Sequence, residues 1–116
     1  MNYIKIGERT VPMVVNAATD AIYERLFKES SILVQAGNDL KSGPVVALIY
    51  RMGFIMAAQA KYSNWRLNRL KASDYSKWLA QFERSDYLDA IWAIRLVYEG
   101  WSDERIKEYG EMSGDE

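Results

Sequence analysis

The segment from Pro44 to Tyr62 constrains the fold more than any other part of this chain. Its apolar residues cover most of the circumference of a helix, and such a helix is enclosed by its neighbours. Pro44 stands where proline is tolerated, in the first turn. Because Arg51 lies near the middle and Gln59 and Lys61 lie at the end, the segment falls short of the roughly 20 apolar residues that span a membrane. We therefore predict a buried core helix and no membrane association.

The N-terminal residues, about 2–15, predict a two-stranded β-hairpin. Polar and apolar side chains alternate from Asn2 to Ile6, Gly7 to Arg9 indicates a turn, and Thr10 to Val15 is mostly β-branched and apolar. Since Pro12 cannot donate to a strand ladder, its strand is expected at an edge or to be irregular there.

Further helices are predicted on both sides of the central one. They are Ala17–Lys28 capped by Asn16, Asp74–Glu83 capped by Ser73, Asp86–Tyr98 capped by Ser85 and ended by Gly100, and a short helix opening at Ser102-Asp103-Glu104. The apolar stripe predicted for the first helix contains Ala18, Ala21, Ile22, Tyr23 and Leu26. Ile32 to Val34 fits either a short strand or a helical turn, and Gln35 to Gly43 is predicted to be a loop.

These patterns together predict a mainly α fold. A chain of 116 residues can bury a core without disulfides or metals. We expect one small helical domain over residues 1–109, with about four to five helices and the N-terminal two-stranded β-hairpin. The acidic residues 110–116 are predicted to be a disordered tail.

The composition argues for binding rather than catalysis. The chain has no His and no Cys, the side chains most used for proton transfer near neutral pH and for thiol chemistry, but it has fifteen aromatic residues. No nucleophile elbow and no phosphate-binding glycine motif occurs. Asp103, Glu104 and Glu108 are interpreted as acids that favour a helix N-terminus. We therefore predict no enzyme, no cofactor and no metal, and the lack of Cys and of a signal peptide favours the cytoplasm.

Charge is distributed unevenly along the chain. Residues 45–83 hold six basic and two acidic side chains, whereas residues 84–116 hold four basic and nine acidic ones. The basic side chains of Lys61, Arg66, Arg69, Lys71 and Lys77 interleave with Tyr62, Trp65 and Trp78. This pattern suits nucleic acid, but the chain carries no nucleic-acid module and is slightly acidic overall. We interpret the patch as a solvated connector, and the asymmetry as favouring self-association.

Seven residues are candidates for partner binding. Met52 and Met56 are adaptable side chains, the small residues Gly53, Ala57 and Ala60 would let a partner helix approach, and Trp65 and Trp101 lie in polar or helix-end segments. The alternative is that the small-residue face packs against the helix predicted at Asp86–Tyr98, which burial favours. For the two tryptophans, exposed anchors and lids on the core remain open.

The order of these elements resembles that of a known family. It runs through the hairpin NYIKIGERTVPMVV, the helix NAATDAIYERLFKES, the central PVVALIYRMGFIMAAQAKY, and the segments DYSKWLAQFE and YLDAIWAIRLVYEGW. Over about residues 2–101 the chain is similar to the tail assembly chaperones of long-tailed phages and prophages of Gram-positive bacteria. The resemblance lies in hydrophobic pattern and element order.

The resemblance implies a partner and a role. Such chaperones coat the helical tape measure protein before the tail tube forms around it, and they have no catalytic residues. The leading hypothesis from the sequence is therefore a chaperone of the tape measure protein. A structural head–tail connector subunit and a small nucleic-acid-binding regulator are the alternatives.

Overall fold

The computed structural model describes residues 1–31 and 43–114, with side chains through Glu111. Its elements are β1 (Asn2–Ile6), β2 (Arg9–Met13), α1 (Thr19–Phe27), α2 (Gly43–Lys61), α3 (Asn64–Leu67), α4 (Ala72–Leu79), α5 (Arg84–Tyr98) and α6 (Asp103–Gly114). The two strands form an antiparallel hairpin and all other described elements are helices. The predicted class, mainly helical with an N-terminal hairpin, is confirmed. The predictions for residues 32–42 lie outside the described residues.

Helix α2 is the core helix, as its apolar circumference predicts. Every residue from Met52 to Ala58 is buried, and α1, α4, α5 and β2 pack around it. By length and by its mean hydropathy of 1.3 this helix could cross a membrane, but half of that window is buried inside the fold. Its packing is that of a core helix.

The hairpin closes one side of this core. Ile4 pairs with Val11 in its register, and Gly7 occupies the turn with a φ of 65°, a conformation that glycine adopts without strain. Ile4 and Ile6 are buried, and just past β2 the Val14 amide donates to the Met56 carbonyl at 3.0 Å. The hairpin therefore lies on α2 and α5 and is not an isolated ribbon.

Helix α1 begins later than predicted, and the predicted stripe was partly wrong. Asn16 Oδ1 accepts a hydrogen bond from the Ala18 amide, and Thr19 Oγ1 accepts one from the Asn16 amide, both at 2.9 Å. This turn takes up Ala17 and Ala18, so the helix starts at Thr19. Thr19 and Tyr23 are then buried, whereas Ala18 and Ala21 are exposed.

The starts of α4 and α5 also differ from the sequence prediction. Their N-caps are Lys71 and Glu83, and Ser73 and Ser85 lie inside the first turn. At α4 the Lys71 amide donates to Asp74 Oδ2 at 2.9 Å, so an acid in the first turn satisfies the backbone in place of a serine cap. Helix α4 ends at Leu79, four residues before the predicted end.

The end of α5 agrees with the prediction. Gly100 has a φ of 91°, its amide donates to the Val97 carbonyl, and the Trp101 amide donates to the Leu96 carbonyl, both at 3.0 Å. These two bonds form a Schellman motif, which satisfies the last carbonyls of the helix.

Helix α6 runs further than predicted. It continues to Gly114 through residues that the sequence analysis assigned to the tail. Ile106 is buried, and Gly110 lies so close to Trp92 that an added Cβ would approach its ring within 2.7 Å. Packing against α5 supports this polar helix, a contact that its own composition does not reveal.

Candidate functional site

A cleft of about 700 Å³ opens between β2, the C-terminal half of α2, and α4. Its volume lies within the range of ligand pockets, roughly 300–1,000 Å³. We call its aromatic residues the aromatic wall: Phe54, Tyr62, Trp78 and Phe82. Its basic residues form the basic rim: Arg9, Lys61, Arg66 and Lys77.

Three of the four rings of the aromatic wall, Phe54, Trp78 and Phe82, are held by ring-to-ring contacts. Trp78 and Phe82, four residues apart, meet edge to face at 5.1 Å between centroids, and Phe54 of α2 lies 5.7 Å from Trp78. Phe54 is buried, while the other three rings are half-buried. Such packing fixes the rings in place and leaves parts of three of them for a bound group.

Small side chains make room in front of this wall. Ala57, Ala58 and Ala60 line the same cleft from α2, and Val11 and Pro12 line it from β2. An alanine leaves the space that a larger side chain on the helix would fill. The cleft is therefore a product of the small-residue face of α2.

The basic rim carries more positive charge than its surroundings balance. Among the described residues that line the cleft, Asp74 is the one carboxylate, and its Oδ1 lies 3.6 Å from Arg66 Nη2. Arg66 also covers the Tyr62 ring, with its guanidinium carbon 5.1 Å from the centroid, and Lys61 Nζ lies 5.4 Å from the same centroid. Arg9 Nη1 donates to Gln81 Oε1 at 3.2 Å.

Three of these cations have no ion-pair partner within the described part of the chain: Arg9, Lys61 and Lys77. Asp74, the carboxylate that lines the cleft, already accepts from the Lys71 amide. The cleft is thus an electropositive site that can attract a negatively charged group.

The structure divides the basic patch seen in the sequence. Lys61, Arg66 and Lys77 line the cleft, whereas Arg69 and Lys71 do not. Instead, the Arg69 guanidinium stacks over Trp65 at 4.1 Å from the ring centroid. Arg9 was not among the predicted basic residues, because it comes from the hairpin, far from the patch in the chain, and no local pattern marks it.

Four of the predicted partner-binding residues belong to the core. Met52 and Met56 are fully buried and Gly53 and Ala57 are buried too. A Cβ on Gly53 would lie 3.0 Å from Ile94 Cγ2 on α5. At Gly53, therefore, this face packs against the chain's own helix, as in the alternative interpretation. Only its edge, Ala57 and Ala60, reaches the cleft.

The two tryptophan candidates differ from each other. Trp65 on α3 is 64% exposed, so it remains available as a surface anchor. Trp101 is half-buried, with Tyr109 edge-on at 5.8 Å and the Arg105 guanidinium 4.2 Å from its centroid. It packs as a lid between α5 and α6.

The acids near the C-terminus have structural contacts. Asp103 accepts hydrogen bonds from Asn2 Nδ2 at 2.9 Å and from the Tyr3 amide at 3.1 Å. Among the residues described, no group of three or more acidic side chains is arranged to hold a metal ion.

Burial shifts the pKa values of three tyrosines. Burial raises the pKa of Tyr23, Tyr50 and Tyr75 above the ordinary value of 10, and at Tyr23 the hydrogen bond to Glu29 raises it further. Arg51 Nη1 donates to the same Glu29 carboxylate at 3.0 Å. These phenols therefore hold their protons more firmly than free tyrosine, and Tyr23 and Tyr50 donate hydrogen bonds to Glu29 and to the Tyr87 carbonyl.

What the cleft offers chemically is contact area and positive charge, positioned by β2, α2, α3 and α4. Compared with protein-family models, with curated proteins and with solved structures, the chain matches none of them.

Proposed function

We propose that this protein is a non-enzymatic assembly chaperone that holds a segment of another protein chain in its cleft. The partner proposed is the tape measure protein of a long-tailed phage, bound in the host cytoplasm during tail assembly. The observation that carries the proposal is the cleft itself, a volume of about 700 Å³ with an aromatic wall and a basic rim.

The geometry supports protein binding on two grounds. Aromatic rings held by their neighbours supply contact area at little cost in conformational entropy, which is why they dominate binding energy at interfaces. The cleft is also too small for a whole domain and of the right size for a few side chains. A segment of a partner with side chains projecting from one face would suit it.

Exposed features next to the cleft add to this surface. Trp65 stands on α3, directly after the end of α2, and is the most exposed of the large rings that the structure describes. Residues 84–116 carry an excess of acidic side chains, and residues 45–83 carry an excess of basic ones. This asymmetry supports self-association as a further part of the proposal.

The direct test is co-expression with the tape measure protein encoded by the same phage. We expect the two chains to co-purify and the partner to stay soluble, and Trp65→Ala to weaken capture. Tyr109→Ala is a suitable control, since Tyr109 is also exposed but lies on α6. Failure to co-purify would reject the proposal, and finding this chain in purified particles would favour a connector subunit instead.

One observation favours a second candidate function, nucleic-acid binding. The basic rim adjoins aromatic rings, and cations and rings together bind single strands. This regulator hypothesis predicts retardation of DNA or RNA in gels that weakens steeply with added salt. The absence of any retardation at low salt would dismiss it.

A further inference from the structure

We infer that the cleft selects a protein segment in which a large apolar side chain is flanked by carboxylates. This inference rests on the proposed function, because it specifies what part of a protein partner the same site takes. Two features of the cleft carry it: the uncompensated charge of the basic rim and the uncharged, small-residue interior in front of the aromatic wall.

The rim defines the flanking groups. Arg9, Lys61 and Lys77 have no ion-pair partner among the described residues, and they come from β2, α2 and α4 respectively. A guanidinium and two ammonium groups at the margin of one cleft match carboxylates on either side of a bound anchor. Because charges at the rim set specificity more than affinity, the effect should be selection of acidic over neutral segments.

The interior defines the anchor. Ala57, Ala58 and Ala60 form one side, and the rings of Phe54 and Trp78 stand beside them. These alanines and rings are uncharged, so an apolar group packed against them meets no charge there. A leucine, phenylalanine or tryptophan of the partner would gain most from this contact.

The same features favour an acidic peptide over nucleic acid. Base stacking needs a free ring face, but Trp78 is flanked by Phe54 and Phe82 within 6 Å, and Trp65 already carries Arg69 on one face. A strand of phosphates also needs a continuous basic track, whereas Asp74 interrupts this rim.

Peptide binding tests the inference with the full chain. The probe is a fluorescein-labelled synthetic peptide with a central Leu-Trp pair between two glutamates on each side, and its matched forms carry glutamine or lysine instead. We expect fluorescence anisotropy to give a Kd for the glutamate peptide about tenfold lower than for the glutamine peptide, the combined effect of a few partly exposed ion pairs. The lysine peptide should not bind measurably.

Variants with the charge reversed at single lysines test whether the peptide binds at the basic rim. Lys61→Glu and Lys77→Glu should each remove most of the preference for glutamate, while Lys77→Arg retains it. The matched control is Lys107→Glu, which changes an exposed helical lysine on α6 away from the cleft. The three lysines replaced in these four variants are all exposed, so circular dichroism should show unchanged folding.

Several outcomes would overturn the inference. Equal Kd values for the glutamate and glutamine peptides, or an equal loss in Lys107→Glu, would reject selection at this cleft. Displacement of the peptide by a short oligothymidylate but not by excess unlabelled glutamate peptide would assign the site to nucleic acid. Displacement by a peptide of residues 103–116 at lower concentration than the probe would assign it to a second copy of this chain.

The two proposals fail separately. If the tape measure protein co-purifies equally with wild type, Lys61→Glu and Lys77→Glu, the chaperone proposal survives and the inference about the cleft is rejected. If peptide selection follows the basic rim but the tape measure protein is not captured, the reverse holds.

Discussion

Single residues decide how closely the two longest core helices approach. At Gly53, α2 meets the fully buried Ile94 of α5, and Met13 Cε of β2 lies 3.8 Å from where a Cβ would be. The absent side chain is what permits this approach. The spacing of small residues predicted this face, burial favoured the chain's own helix over a partner, and Gly53 makes that contact.

Gly53→Val should destabilise the fold. Its extra methyl groups would enter a fully packed region, and overpacking of this kind typically costs about 1–3 kcal/mol. We expect the urea midpoint to fall accordingly, whereas Gly43→Val, where no atom of the described residues lies within 4 Å of the added Cβ, should have a much smaller effect. An undiminished midpoint for Gly53→Val would show that α2 and α5 do not pack as described.

A second substitution checks that the cost comes from this contact. Ile94→Ala removes Cγ2, the atom that would lie 3.0 Å from a Cβ added at Gly53, so Ile94→Ala should cost less stability in the Gly53→Val background than in the wild type. Such coupling between contacting residues appears as non-additivity in a double-mutant cycle. Strict additivity would place the strain elsewhere.

At the scale of elements, the contacts between the hairpin and the start of α6 depend on side chains that are distant in sequence. The hairpin has an edge at β1, and the Tyr3 amide on that edge donates to Asp103 Oδ2 at the start of α6. Asn2 Nδ2 donates both to the Trp101 carbonyl and to Asp103 Oδ1, each at 2.9 Å. One carboxylate thus protects an edge strand and anchors the last helix.

Asp103→Ala should loosen both elements together. The loss of hydrogen bonds to a charged acceptor typically costs about 1.5–3 kcal/mol, and we expect the lower end because Asp103 is half-buried. Hydrogen exchange should speed up in β1 and α6 before the rest of the fold. Glu104→Ala, an exposed acid in the same turn, should leave both elements protected; comparable exchange in the two variants would contradict this assignment.

Helix boundaries show what local sequence can and cannot indicate. Gly100 was predicted as the end of α5 because a left-handed residue there has a strong local preference for glycine. Ser73 and Ser85 were mispredicted as caps, because an acidic side chain at Asp74 and the Glu83 carbonyl start those helices instead. Several residues in each turn can satisfy the same amides, so the choice depends on the packing of the helix.

At the scale of the whole molecule, burial of polar rings couples stability to pH. Tyr50 is almost fully buried, and its hydroxyl donates to the Tyr87 carbonyl on α5. Burial raises the pKa of Tyr50 above its ordinary value of 10. In the unfolded chain the phenol loses its proton near that ordinary value, so above pH 10 the unfolded state binds fewer protons than the folded state.

The free energy of unfolding should therefore be unaffected by these tyrosines below about pH 9 and fall as the pH rises beyond 10. Tyr50→Phe should lower stability near neutral pH by about 1 kcal/mol for the lost hydrogen bond, yet flatten the alkaline decline. Urea midpoints measured from pH 7 to 11 test this. Part of the alkaline decline in stability should remain in Tyr50→Phe, because burial also raises the pKa values of Tyr23 and Tyr75.

Tyr3→Phe is the control for this profile, since its ring is 56% exposed. Its midpoints should follow those of the wild type across the range. An alkaline decline in Tyr50→Phe as steep as in the wild type would show that ionisation of Tyr50 does not contribute.

The amino-acid sequence alone was sufficient to predict features that depend on the residues of a single element. The all-round apolar surface of α2, the alternation in β1 and the glycine after α5 each follow from side chains close together in the chain, and the structure bears them out. Hydrophobic periodicity and turn preferences are local, so they can be recognised without knowing the partners.

The cleft depended on the packing of elements that are distant in sequence. Arg9, Lys61 and Lys77 meet because the hairpin lies on α2 and α4 packs beside it. Likewise, the rotation of α1 about its axis buried Thr19 and exposed Ala21. Long-range contacts are chosen by the total area buried and the polar groups satisfied across all elements at once, and no single segment carries that information.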